Sequence, residues 1–348
     1  MDLSDSEEQS TLRKHLANFF TRESTTERVR ASEPLGFDAR LWSDMLAMGL
    51  PSMAVPEALG GGGAGLGDLT LAAEEFGRRI APAPFIEAAA ANDLLARLAE
   101  EDAGGVAGEL LSGALEGRLV SLAVRPAHGG VARLAPAGAI ADTLLALDGD
   151  ELVAVTLERD PEAPASAPAN LGAAPMADCR TDGSSRTVLA SGAPARSLHD
   201  HAVAEWQILT ASALVGLASA ALEIAVEYVK QRRAFGVPIG WFQSVQHRLA
   251  DDVTETDGAR LLAYEAAWAT EEQHANASAL ASMSFLFASE SAFKTAGDSL
   301  HFHGGYGYTL EYDIQLYFRR AKAWALAAGD PRREFQRLAG LLFDERGQ

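Results

Sequence analysis

Two short segments of this 348-residue chain combine charged, aromatic and glycine residues at spacings that chemistry can use. The first is Arg232-Arg233-Ala234-Phe235-Gly236, followed eight residues after Phe235 by Gln243. The surrounding pattern predicts that an arginine closes a long helix, that Gly236 and Pro238 make a turn, and that Gln243 begins the next helix. A guanidinium so placed can grip a pyrophosphate with two parallel hydrogen bonds, Phe235 can cover a ring, and the Gln243 amide can donate a hydrogen bond. The same residues also fit a solvated basic helix end that complements the helix dipole. The second segment is His301-Phe302-His303-Gly304-Gly305-Tyr306-Gly307-Tyr308, with Glu311 and Arg319-Arg320-Ala321-Lys322 after it. Gly304 and Gly305 either let backbone amides approach a phosphate or simply cap a helix. His301 and His303, two apart on a helix, do not face one another, which favours a structural role over metal ligation.

The elements that must position these residues are legible from periodicity. Residues 6–116 read as helical, with Leu12, Leu16, Phe19 and Phe20 at helical spacing. Gly60, Gly62 and Gly65 formally match GxGxxG, but helical patterns flank them, so a flexible turn is expected instead of a dinucleotide fingerprint. Residues 119–198 turn to short β-like runs, with a hairpin expected around Asp148-Gly149-Asp150 and a Pro- and Ala-rich surface loop over 159–175. Helices are then expected from near Glu205 and over 242–270, 276–299 and 311–328. The expected fold is mainly α with a small β domain: an N-terminal helical domain over 1–117, a reduced middle β-barrel or sheet domain over 118–200, and a C-terminal four-helix bundle over 201–348.

Composition narrows the function. A net charge of −19 repels nucleic acid and anionic membrane surfaces, so a phosphate-bearing ligand needs a local basic site. The longest uncharged apolar stretch, 206–222, is closed by Glu223 and Glu227, which predicts a buried bundle helix and no membrane insertion. The acidic start, Met1-Asp2-Leu3-Ser4-Asp5, has neither the basic opening nor the apolar run of a secretory signal, so a cytoplasmic protein is expected. Cys179 is the single cysteine, which rules out an internal disulfide. All 25 aromatic residues lie outside the 120-residue stretch from Ile86 to Glu205.

Taken together, the two segments at this spacing resemble the acyl-CoA dehydrogenase family, as do Val55-Pro56-Glu57-Ala58-Leu59-Gly60-Gly61 and Glu74-Glu75-Phe76-Gly77. The resemblance implies FAD as cofactor and an acyl-CoA thioester as substrate. It also implies trans contacts to the FAD of a neighbouring subunit from Arg232, Phe235, Gln243, Gly304 and Gly305, with His301 replacing the usual glutamine. Electrons would pass to an electron-transfer flavoprotein or similar acceptor.

The family reaction needs a carboxylate base, and the position where many members carry it holds Ala328. The alternative position on the helix before Arg232 holds Trp206, which leaves Glu205, one residue away, as a weak catalytic candidate and Asp330 as a weaker one, better read as a helix cap. The middle segment, Ser121-Leu122-Ala123-Val124-Arg125-Pro126, lacks the residues that cover a flavin ring in the family. This pattern resembles the degenerate subunit of heteromeric α2β2 acyl-CoA dehydrogenases of bacterial steroid side-chain degradation, in which a homologous subunit supplies base and flavin platform. A self-sufficient homomeric enzyme with a relocated base, and a non-enzymatic acyl-CoA-binding or scaffold protein, are the alternatives.

Overall fold

The computed structural model describes residues 5–100, 102–157, 167–183 and 185–343; residues 1–4 and the 159–166 half of the expected Pro- and Ala-rich loop lie outside the described residues. The first helices are α1 (Glu7–Glu23), α2 (Thr26–Ala31), α3 (Ala39–Ala47), α4 (Leu66–Arg78), α5 (Phe85–Ala99) and α6 (Val106–Leu115). A capping box starts α1: the Ser6 hydroxyl accepts from the Gln9 N–H while the Gln9 side chain accepts from the Ser6 N–H. The face bearing Leu16, Phe19 and Phe20 is buried, as its spacing predicts. The glycine segment is a turn: Gly60 and Gly63 adopt φ of +90° and +64°, a single 3₁₀ turn precedes them, and α4 follows without a strand in front.

The middle of the chain forms β1 (Val120–Leu122), β2 (Val131–Ala135), β3 (Thr143–Asp148), β4 (Glu151–Thr156), β5 (Ala177–Arg180) and β6 (Arg186–Ser191). A four-stranded sheet in the order β1-β3-β4-β6 pairs β1 parallel to β3 and the others antiparallel, while β2 and β5 form a second antiparallel ladder. The expected hairpin joins β3 to β4, with Asp148 opposite Glu151 and Gly149 at φ +62°. Ala132, Leu144, Val153, Val155 and Cys179 fill the space between the ladders, a core without a single ring.

The rest is α7 (Gly192–Gln231), the hairpin β7 (Arg233–Ala234) and β8 (Val237–Pro238), α8 (Gln243–Glu271), α9 (Ala277–His303), α10 (Ile314–Leu326) and α11 (Pro331–Phe343). Helices α7 to α10 form the bundle, with α7 against α8, α9 and α10. The helix expected from near Glu205 in fact begins at Gly192. The buried face of its first turns is carried by the small Ala195 and Ala202 and the polar His199, a weak apolar signal beside exposed Arg196, Ser197 and Asp200, and Pro194 is tolerated where the N–H groups lack intrahelical partners. α7 is long and apolar enough to cross a bilayer, but 83% of its apolar window is buried inside the fold, as the sequence predicts.

Two glycines let α4 cross α7 closely. A Cβ on Gly77 would lie 1.9 Å from the Ala213 carbonyl oxygen, and one on Gly216 would lie 1.9 Å from that of Glu74. The buried Glu74 carboxylate then ties three helices together, accepting from Arg260 Nε at 3.0 Å and Tyr264 Oη at 2.5 Å and pairing with Arg13 at 3.3 Å.

Candidate functional site at the bundle end

The α7 helix ends where the Arg232 N–H donates to the Tyr228 carbonyl at 2.8 Å, and the Ile239 N–H donates back to the Arg232 carbonyl at 2.8 Å. Between them Phe235 and Gly236 take φ of +52° and +86°, the consecutive left-handed residues of a tight hairpin turn. A phenylalanine held in that region is uncommon and strained. Its ring is 96% exposed, in edge contact with Phe242 at 6.2 Å. Arg232 is exposed and makes no ion pair among the described residues. Gln243 is exposed as the first residue of α8, whose opening turn leaves amide N–H groups free by geometry.

The second segment reaches the same end of the bundle. The His303 ring stacks on Tyr228 with centroids 3.9 Å apart, and Gly304 follows at φ +62°, ψ −141°. A Cβ built on Gly304 or Gly305 meets nothing within 4 Å, so both backbones face open space. His301 is exposed and His303 buried, so the two imidazoles diverge. Burial holds the His303 pKa below its ordinary value, and its Nδ1 lies 2.7 Å from the Ser299 carbonyl oxygen. Trp241, Tyr306, Tyr308 and Leu310 add exposed apolar surface at this end.

Glu205 lies elsewhere, on the inner face of α7. Its Oε1 accepts from Arg97 Nη2 at 3.1 Å and lies 2.8 Å from His201 Nε2. Burial opposes its charge, yet the His201 hydrogen bond and the charges of His201 and Arg97 together hold the carboxyl below the usual range. Asp93, which accepts from Arg97 Nε at 2.5 Å, is pushed up to about 7 by burial and by the Glu205 charge. Asp93, His201 and Glu205 bring ligand atoms within 4.8 Å of one another, but Arg97 already supplies the cation that both carboxylates require. Asp330 accepts from the Arg332 N–H at 3.0 Å at the start of α11, the capping role expected of it.

Trp206, by contrast, lines a cavity between α5, α7, α10 and the loops at 136–137 and 172–176. Trp324 and Ala327 contribute from the end of α10, and Ala328 falls in the turn just beyond. Among the described residues the one acid on this wall is Glu87, which sequence reasoning missed; burial pushes it up to about 7. Its signal was present, a lone carboxylate in the apolar run Phe85-Ile86-Glu87-Ala88-Ala89.

The family models for the acyl-CoA dehydrogenase N-terminal and C-terminal domains match residues 6–103 and 201–338. The acyl-CoA dehydrogenase IpdE2 of Mycolicibacterium smegmatis is 30% identical over 342 residues, covering 97% of this chain and all of the relative. Among solved structures, the "Tcur3481-Tcur3483 steroid ACAD G363A variant" superposes with a TM-score of 0.84 at 27% identity, covering 99% of this chain and 100% of that one. The ChsE4-ChsE5 complex from Mycobacterium tuberculosis, with a TM-score of 0.82 at 24% identity over 98% of this chain and 99% of that one, shares the fold. The chain belongs to the acyl-CoA dehydrogenase family.

The cofactor of that family is FAD. The open backbone at Gly304 and Gly305, the unpaired Arg232 and the protruding Phe235 suit part of a dinucleotide presented from outside the chain.

Proposed function

We propose that this chain is the reduced subunit of a heteromeric acyl-CoA dehydrogenase and clamps an FAD held mainly by a homologous partner subunit in an α2β2 assembly. One observation carries the reading. The groups that would reach outward, Arg232, Phe235, Gln243 and Gly304-Gly305, stand exposed at one end of the bundle, with His301 exposed on the last turn of α9, while the inward positions for a base hold Trp206 and Ala328. Glu205 is already committed to Arg97 and His201. FAD, when bound, accepts the hydride that leaves the acyl β-carbon. In this reading Arg232 grips its pyrophosphate bidentately, Gly304 and Gly305 let the backbone approach it, Gln243 donates from its amide, and the Phe235 ring shields the cofactor from water. The partner supplies the carboxylate that removes the α-proton.

The similarity to a structure named as a steroid ACAD variant supports a steroid-derived CoA thioester as substrate. An electron-transfer flavoprotein or similar acceptor and a cytoplasmic setting belong to the same proposal. The three-unit division at 117 and 200 belongs to the same reading. The test is to purify the chain alone and with its homologous sibling and to measure flavin absorbance and turnover. The reading expects flavin and activity only in the pair, at half the flavin sites of a homotetramer. Full flavin occupancy and turnover by the lone chain would overturn it.

A further inference from the structure

A second cavity opens where α5 passes the first turns of α7, between them, the start of α4 and the end of α8. Asp93 on α5, with His201 and Glu205 four residues apart on one face of α7, brings three ligand atoms within 4.8 Å of one another. All three side chains line the cavity. Ligands of one tetrahedral zinc ion, at bond lengths of about 2.0–2.1 Å, stand roughly 3.3 Å from each other, so a modest contraction closes this trio on a single ion. Side-chain exposures of 18% for Asp93, 31% for His201 and 6% for Glu205 sink the trio into the protein while leaving it a path to solvent.

The charges around this space are out of balance. Asp93, Glu205 and Glu271 line it, and among the described residues Arg97 is the one guanidinium or ammonium group on its wall. Glu271 Oε1 accepts from the Gly67 N–H at 2.9 Å, while Arg97 divides itself between Asp93 through Nε and Glu205 through Nη2. One cation therefore serves two carboxylates. The Arg97 side chain is 42% exposed, and its long stem lets the head group turn out to water, whereas the three ligand-bearing side chains are the more deeply set. One imidazole with two carboxylates suits a divalent transition-metal ion of the zinc class; calcium and magnesium prefer oxygen ligands throughout. Three protein ligands leave one position for water from the cavity mouth.

We infer that this chain binds one divalent transition-metal ion of the zinc class through Asp93, His201 and Glu205, with Arg97 turned out to solvent, and that the ion ties α5 to α7. Arg97 neutralises the two carboxylates when the metal is absent and yields that place when it binds. The site is independent of the flavin-clamp reading, because none of its residues belongs to the hairpin or the glycine turn at the bundle end.

The experiment titrates zinc chloride into the chelator-treated full chain by calorimetry at pH 8, since binding releases protons from the ligands, and repeats the titration with calcium and magnesium. The expected result is one zinc ion per chain, bound at least about tenfold more tightly than either hard cation. Asp93→Asn keeps the side-chain shape, and His201→Ala removes a half-exposed ring; each should weaken zinc binding at least about tenfold. Arg97→Gln removes the competing cation, so zinc should bind it about threefold or more tightly than wild type and raise its melting temperature by more. Circular dichroism checks the fold of each variant, and His201→Ala decides the question if Asp93→Asn misfolds. Absence of one-to-one zinc binding, calcium binding equal to zinc, or zinc affinity unchanged in His201→Ala would overturn the inference and leave Arg97 as the sole counter-ion of this cluster.

Discussion

The imidazole of His303 lies on the Tyr228 ring, centroids 3.9 Å apart and planes 25° from parallel, and this pair fastens the end of α9 to the end of α7. Through it the arginine hairpin and the glycine turn, some seventy residues apart, occupy one end of the bundle. Tyr228→Ala is expected to lower the unfolding free energy by about 2 kcal/mol, from the lost stack and lost ring burial. It should also weaken flavin binding in the assembly several-fold, although no proposed flavin contact has changed. Denaturant titration and flavin titration check the two halves; flavin affinity at the wild-type level would show that the pair does not position the clamp.

Arg232 is exposed and unpaired, so Arg232→Ala should leave stability within about 0.5 kcal/mol of wild type. Flavin affinity in the assembly is expected to drop by about 2–3 kcal/mol, or roughly 30- to 150-fold. Lysine at this position should recover little of it, because a point charge cannot reproduce a two-pronged contact. Full rescue by lysine would argue for simple charge attraction.

Gly304 and Gly305 separate backbone strain from ligand clearance. Gly304 sits at φ +62°, ψ −141°, where Gly304→Ala should cost about 1–3 kcal/mol of stability. Gly305 shows no such strain, and its Cβ would enter empty space, so Gly305→Ala should melt like wild type yet lower flavin occupancy. Thermal melts beside flavin absorbance read the contrast, and unaltered occupancy in Gly305→Ala would place the cofactor away from this turn.

Glu205 provides the discriminating test between a paired and a self-sufficient enzyme. With its carboxylate held by Arg97 and His201, Glu205→Gln should leave turnover of the assembly within about twofold while destabilising the fold by about 1–2 kcal/mol. Abolished turnover would make Glu205 the base. Removing Arg97 is expected to cost about 2 kcal/mol or more, because Asp93 and Glu205 would then face each other with His201 alone to offset their charge.

Glu87 gives a pH signature. Burial raises its pKa from 4.5 to about 7, so the folded state holds a proton that the unfolded chain releases between those values. The stability tied to that proton is fully present below about pH 4.5 and is lost as pH rises through 7. Glu87→Gln should therefore match wild type near pH 5 and exceed it by about 2 kcal/mol near pH 8. The difference between the two proteins is the quantity to follow, since the buried imidazoles His199 and His303, with lowered pKa values, weaken both as pH falls below their ordinary range. A flat difference across pH would mean that Glu87 is ionised in the fold.

Local chemistry is what made much of this protein readable in advance. Asp148-Gly149-Asp150 demanded a two-residue turn wherever the chain went, and Arg232-Arg233-Ala234-Phe235-Gly236 ended a helix in a hairpin for reasons contained in those residues and Pro238. The α–β–α order followed from periodicity alone. The beginning of α7 escaped, because the face it buries there is made of small Ala195 and Ala202 and polar His199, which mark an apolar stripe only faintly. Long-range pairing escaped more thoroughly: Glu205 acquires its meaning from Arg97, 108 positions earlier, and only packing could make that carboxylate a held counter-ion instead of a free base. The cavity around Trp206, Thr210 and Arg320, with Glu87 on its wall, likewise exists because α5, α7 and α10 meet there. Turn and helix signals act over a few residues and are written in residue type, whereas desolvation and hydrogen-bond satisfaction depend on neighbours that folding alone brings together.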